Sequence, residues 1–180
     1  MSSSKTTKKQ ARISFASITP NNIGTLRKIN GVVFPIKYSE KFYQDVLLPE
    51  LEEFCKLVYY NDVPVGTICC KIETKDEQTN LYLMTMGVLA PYRSRKLGSE
   101  SLELIISAAS AQKQPAISHI YLHVQVSNTD ARRFYERHGF KEVGLHENYY
   151  KKILPRDAWI LRREIQGTEA SVSTEARDVL

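Results

Sequence analysis

The segment GVLAPYRSRKLGSESL (87–102) gathers residue types that can hold an anion. An apolar run ends at Leu89, a short loop brings Arg93, Arg95 and Lys96 together around Ser94, and Gly98-Ser99 leads into an amphipathic stretch. The first turn of a helix carries N–H groups without intrahelical acceptors and sits at the positive end of the helix dipole. Beside three cationic side chains such a turn suits a phosphate, and a pyrophosphate is the natural guest. No Cx2C spacing suggests a metal site, so none is expected. The cysteines are three, Cys55, Cys69 and Cys70. Adjacent Cys69 and Cys70 point to opposite faces of a strand and cannot easily bridge, so they read as packing residues in a reducing, intracellular compartment.

Apolar periodicity outlines the elements that must position this loop. Ile13–Phe15 alternates as a strand. Thr19 and Pro20 read as the cap and first residue of a helix that buries Ile23, Leu26 and Ile29 and ends at Asn30-Gly31. Ser39 can cap a second, short helix that buries Phe42, Val46 and Leu47. Residues 57–60 and 63–73 form a hairpin about Asn61-Asp62, 74–80 a charged loop, and 81–89 a strand. A long helix opens at Ser99 and aligns Leu102, Ile105, Ile106 and Ala109 along one face. Residues 120–126 give another strand, Ser127-Asn128 starts a helix that closes at Gly139, and Phe140–Val143 and Tyr149–Ile153 are the final strands. The order β-α-α-β-β-β-α-β-α-β-β predicts an α/β (α+β) domain, a mixed sheet flanked by helices.

The 180 residues suit one domain, with 42% hydrophobic and 25% charged residues. Residues 12–165 are expected to form it, between a basic arm (1–11) and a loose tail (166–180). No apolar window approaches the ~18 residues of a membrane span, and the N-terminal stretch MSSSKTTKKQAR has no apolar segment of a secretory signal. Lys5, Lys8, Lys9 and Arg12 supply four of the five net positive charges, with no acid before residue 40. Such an arm can touch RNA phosphates, although so few charges without interleaved aromatics also describe a solubilising tail.

In Val88-Leu89-Ala90-Pro91-Tyr92-Arg93 the Val, the Arg and, further on, Gly98 stand at the spacing of V-x-P-x-x-R-x-x-G-x-G/A, with Pro91 one residue later than in that pattern, and the chain here resembles the GNAT acetyltransferase superfamily. Lys96 takes the first glycine position of that signature and Gly98 the second. Lysine gives up the glycine's freedom to adopt positive φ and its close approach to a phosphate, but adds an ammonium there. IYLHVQVSNTDARRFYERHGFKEVG (120–144) resembles the family's second coenzyme element, with Asn128, Ala131 and Tyr135 on one helix face. The resemblance implies a GNAT fold, a mixed and mostly antiparallel central sheet whose strands splay around acetyl-CoA. Implied coenzyme residues are Met86, Val88, Arg93, Ser94, Arg95, Lys96, Leu97, Gly98, Ser99, Asn128 and Tyr135.

FPIKY (34–38), LYLMTMGVLAPYR (81–93) and ENYYKKI (147–153) narrow the resemblance to catalytic subunits of the NatE type, over roughly residues 13–165. It implies a pocket for a first Met from Phe34, Pro35, Ile36 and Tyr38, and a peptide groove from Met84, Tyr149, Tyr150 and Ile153. Tyr82 and His123 would handle the proton, and Tyr135 the departing thiolate. Without the resemblance, a histidine flanked by apolar residues is more often a core residue, and strand tyrosines are common. The implied activity is co-translational N-terminal acetylation of proteins beginning with Met. The alternative is a weakly active or inactive acetyl-CoA-binding subunit. Implied partners are protein N-termini, the NatA auxiliary and catalytic subunits and the ribosome, with no membrane, in the cytoplasm and with a nuclear location open.

Overall fold

The computed structural model describes residues 11–165. It contains strands β1 (Ile13–Ser17), β2 (Lys56–Tyr60), β3 (Val63–Lys75), β4 (Gln78–Val88), β5 (Ile117–Gln125), β6 (Lys141–His146) and β7 (Ala158–Glu164). The helices are α1 (Ile23–Val33), α2 (Glu40–Asp45), α3 (Leu97–Ala111) and α4 (Thr129–Arg137). One seven-stranded sheet runs β1-β2-β3-β4-β5-β7-β6. Every neighbouring pair is antiparallel except β4 and β5, which are parallel. This is the mixed, mostly antiparallel sheet that the sequence predicts. The expected arm and tail lie outside the described residues, apart from Ala11. Among those described, no helix is long and apolar enough to cross a membrane.

Each face of the sheet carries its own core. Leu26 and Ile29 of α1 pack with Tyr43, Val46, Leu57 and Cys69 on one side. On the other, Leu102, Ile105 and Ala109 of α3 meet Ile68, Cys70, Leu81, Ile120 and Phe140. Cys69 and Cys70 therefore serve opposite cores, as adjacent strand residues must, and all three cysteines are free and buried. Asn61 and Asp62 both adopt positive φ, which a two-residue hairpin turn of the favoured hand needs.

Several boundaries differ from those predicted. α1 starts at Ile23 rather than after Thr19, because Asn22 draws Thr19–Asn22 into a turn: Thr19 N–H donates to Asn22 Oδ1 at 2.8 Å. It also passes through Asn30-Gly31 to Val33, since Asn30 is buried and its Oδ1 accepts from Thr67 Oγ1 at 2.8 Å. The 74–80 loop is a tight turn in which Asp76 and Glu77 alone leave the strands, both at positive φ. α3 opens two residues early, at Leu97. Tyr149–Ile153 is not a strand. That segment lies in the loop between β6 and β7, and the last strand is AWILRRE, with Ala158 and Leu161 fully buried. Arg162, Arg163 and Glu164 hide its periodicity, because a strand between two others buries even the stems of its charged residues.

Candidate active site

The parallel pair β4–β5 is short. Its register runs through Thr79↔Ile117, Leu81↔Ile120 and Tyr82↔Tyr121 and stops there, although both strands continue for several residues. A cause lies one strand away. Cys69 faces Thr85 across β3–β4 while Cys70 faces Leu83, so Met84 is an extra residue in β4. Such a bulge bends its strand and increases the local twist. The bulge immediately follows the last β4–β5 partner. Beyond it β4 follows β3, β5 follows β7, and a fork opens between them.

A cavity of about 800 Å³ occupies the fork. Tyr82, Met84 and Met86 line it from β4, His123 and Gln125 from β5, and Asn128, Ala131 and Tyr135 from α4. Phe34, Pro35, Ile36 and Tyr38 wall one end, and Tyr149, Tyr150 and Ile153 close over it. Ring contacts brace the first wall, with Phe34 edge-on to Tyr38 at 6.0 Å and Tyr38 stacked on Phe42 at 4.6 Å. The second wall is tied to the end of β5, where Gln125 Nε2 donates to Pro155 O at 2.8 Å, and to the start of β7, where Asn148 N–H donates to Asp157 Oδ1 at 2.8 Å.

Gly87 lets the first wall approach. A Cβ there would lie 2.5 Å from Val33 Cγ1 and 2.8 Å from Phe34 Cζ. Only a residue without a side chain allows the end of α1 to touch β4.

Tyr82 and His123 sit at the apex of the fork. His123 Nδ1 lies 3.1 Å from the Tyr82 hydroxyl, which lies 2.5 Å from that of Tyr149. The His123 ring stacks on Tyr149 at 4.0 Å. Burial, then the neighbouring Tyr149, drives the Tyr82 hydroxyl far above the ordinary tyrosine range, so it stays protonated. Burial and the adjacent His146 push His123 down to about 4, only partly opposed by Glu73. His123 is thus neutral at pH 7, with a nitrogen able to accept a proton. Tyr135 is likewise held protonated by burial.

The profile of the acetyltransferase (GNAT) family matches residues 23–140. The chain belongs to that family. It is 41% identical to N-alpha-acetyltransferase 50 of Danio rerio over 88% of this chain and 92% of the relative. It is 43% identical to the probable N-acetyltransferase san of Drosophila melanogaster, over 88% and 84%. Among solved structures, Arabidopsis thaliana Naa50 in complex with the bisubstrate analogue CoA-Ac-MVNAL superposes with a TM-score of 0.78 at 39% identity, covering 84% of this chain and 98% of that one.

In this GNAT chain the signature loop lies outside the cavity lining. A turn at Ala90–Tyr92 leads into it, with Ser94 and Lys96 both at positive φ. Lys96 thus keeps the left-handed backbone that a lysine in place of glycine is expected to lose. The cost is about 1–2 kcal/mol for a residue with a Cβ. Its carbonyl accepts from Glu100 N–H at 2.9 Å, which leaves the N–H groups of Leu97, Gly98 and Ser99 as the open donors of the first turn. The Leu97 side chain is buried with Val58 and Val65, so only its backbone is available to a ligand. Arg93 Nε donates back to Val88 O at 3.1 Å, and Arg95 reaches the Tyr60 hydroxyl at 3.3 Å.

Asn128 caps α4, its Oδ1 accepting from Ala131 N–H at 3.2 Å, so its amide NH2 is the group left for the cavity. The side-chain positions singled out from the sequence thus divide in two. The residues expected to do catalysis and to hold peptide meet in one cavity with Met86, Asn128 and Tyr135, while Val88 ends β4 outside it and Arg93–Ser99 form a separate basic turn. Sequence reasoning missed Gly87's packing role, the Tyr121 hydroxyl that donates to Glu73, and His146, whose Nδ1 lies 3.2 Å from His123 Nε2. Among the described residues no cluster of His, Cys, Asp and Glu could hold a metal ion.

Proposed function

We propose that this protein transfers the acetyl group of acetyl-CoA to the α-amine of polypeptides beginning with Met. The observation that carries the reading is the fork: β4 and β5 part at Tyr82–Tyr121, with a neutral histidine and a protonated tyrosine at the apex. The names of the relatives and the peptide MVNAL in the Naa50 analogue support the same chemistry. The residues present fit the coenzyme. Three open N–H groups beside Arg93, Arg95 and Lys96 suit its pyrophosphate, and Met86 and Asn128 line the cavity that would take its pantetheine. When bound, acetyl-CoA supplies the activated thioester. The apolar wall Phe34–Ile36 with Tyr38 takes the Met side chain, and Met84, Tyr149, Tyr150 and Ile153 hold the peptide backbone.

An α-amine, with a pKa near ~8, has about a 250-fold larger neutral fraction at pH 7 than a lysine side chain near ~10.4. No carboxylate base is needed. Tyr82, kept protonated, orients the amine or a water by hydrogen bonding, and His123 accepts the proton through its Nδ1. A group pushed down to about 4 is a weak base for a free ammonium. It suffices because the nitrogen becomes a much stronger acid once it bonds to the acyl carbon. The Tyr135 hydroxyl donates to the departing sulfur.

Lys96 favours a second reading, a weakly active coenzyme-binding subunit docked on the NatA subunits at the ribosome. In either reading the protein works in the cytoplasm, with a nuclear location open, and the basic arm serves either to keep the chain soluble or to touch ribosomal RNA. Purified protein should label Met-Leu peptides from radiolabelled acetyl-CoA. Absence of turnover at saturating coenzyme, with a Tm that still rises on adding CoA, would establish the binding subunit instead.

A further inference from the structure

We infer that His146 is a positioning residue that sets the proton polarity of the catalytic histidine and switches it off in acid. The inference rests on the proposed role of His123. His146 ends β6 and faces Ala158 of β7, while His123 lies on β5 on the far side of β7. The two imidazoles meet across that strand, His123 Nε2 at 3.2 Å from His146 Nδ1 and the ring centroids 5.2 Å apart. His146 is exposed and His123 half-buried, so the contact leads from the cavity to solvent.

Four groups form one line: Tyr149 hydroxyl, Tyr82 hydroxyl, His123 and His146. Each link needs one donor and one acceptor, so the line has two consistent polarities. In the first, Tyr149 donates to Tyr82, Tyr82 to His123 Nδ1, and His123 Nε2–H to His146 Nδ1. The His123 Nδ1 lone pair then accepts from Tyr82, so a proton reaches it when the Tyr82 hydroxyl passes its own hydrogen to Nδ1 and takes one from the cavity side, leaving an imidazolium whose Nε2–H is already bonded. In the second, His146 Nδ1–H donates to His123 Nε2, and His123 Nδ1–H to Tyr82. That form has no base facing the cavity.

Neutral His146 permits both polarities, whereas protonated His146 carries hydrogen on both nitrogens and permits only the second. Its charge also repels a second proton on His123. The other groups facing the pair are Tyr121 on β5 and Glu73 on β3 with its partner Lys71. Glu73 favours a charged His123, but it reaches Tyr121 rather than either end of the line. His146 is the member open to solvent.

The test pairs NMR of the free protein with steady-state kinetics. Nitrogen shifts of His123 should show the Nε2–H form at pH 7.5, converting to Nδ1–H as His146 protonates; His146→Ala should abolish that conversion. With Met-first peptides, His146→Ala should lower kcat about 3- to 10-fold at pH 7.5 with the KM for peptide unchanged. His146→Gln, whose amide oxygen can accept from Nε2–H, should recover most of it. The ratio of wild-type to His146→Ala kcat, in which titration of the substrate amine cancels, should fall through one and below it as pH drops. A His123 tautomer indifferent to His146, or a pH-independent ratio, would overturn the inference. Wild-type protein without turnover would overturn the proposed function instead, while the tautomer measurement would still stand.

Discussion

Under the proposed function the two ends of the site, the cavity in the fork and the basic turn outside it, recognise their ligands by different means. At the acceptor end the work falls to side chains. Phe34, Tyr38 and Phe42 interlock by ring contacts on one wall, as do Tyr149 and Tyr150 on the other, and Tyr82 and His123 place polar groups between them. At the coenzyme end the work falls to the backbone, with N–H groups at the start of α3 and a loop bent through positive φ at Ser94 and Lys96. Side-chain sites fail when one group is removed. Backbone sites survive most substitutions, because every residue but proline keeps its N–H.

Replacing His123 should therefore produce the largest effect. His123→Ala removes the proton acceptor at the apex and should lower kcat by about 10²- to 10⁴-fold, the usual contribution of a positioned general base. Coenzyme affinity, measured by titration with CoA, should change little, because the basic turn lies outside the cavity that His123 lines. Comparable losses of both would mean that the two ends are not separable.

A second, smaller effect should follow from crowding the acceptor wall without touching a polar group. At Gly87 even a Cβ meets Val33 and Phe34 at 2.5 and 2.8 Å, so Gly87→Val must push the end of α1 away from β4. Overpacking of this kind costs about 1–3 kcal/mol. Denaturant unfolding should show that loss, and the KM for peptide should rise more than the KM for acetyl-CoA. An equal rise in both would place Gly87 on the coenzyme path rather than behind the peptide wall.

The two ends were also unequally legible in the sequence. The basic turn could be read from local order alone, as strand, cationic loop and helix start within sixteen residues, although the backbone at Lys96 could not. Sequence suggests that a lysine avoids positive φ; the neighbouring turn and the start of α3 impose it. The acceptor end came only through resemblance, because Phe34, Tyr82, His123 and Tyr149 are far apart in the chain and any of them alone passes for a core residue. What no local pattern carried was long-range geometry. The Met84 bulge is a mismatch between two strands, and Gly87 is small on account of a helix more than fifty residues earlier. His146 meets its partner across β7, a strand whose charged half concealed it.

Lys96→Gly should have the smallest effect and separates backbone from charge at the coenzyme end. Glycine adopts φ near 66° without the Cβ penalty, so the native state loses strain, but the unfolded chain gains freedom worth roughly 0.5–1 kcal/mol. The first exceeds the second by less than about 1 kcal/mol at mid-range, so Tm should rise by only a few degrees. Binding is different. If the left-handed turn is what the coenzyme needs, lysine already provides it, and glycine removes only the ammonium. CoA affinity should then fall about 2- to 5-fold at low ionic strength, with the difference vanishing as salt screens the charge. If the lysine Cβ instead holds the phosphates off the backbone, the same substitution tightens binding at every salt concentration. Titrations of both proteins at two ionic strengths distinguish these outcomes, and the second would show that this end depends on side-chain size as strictly as the aromatic wall does.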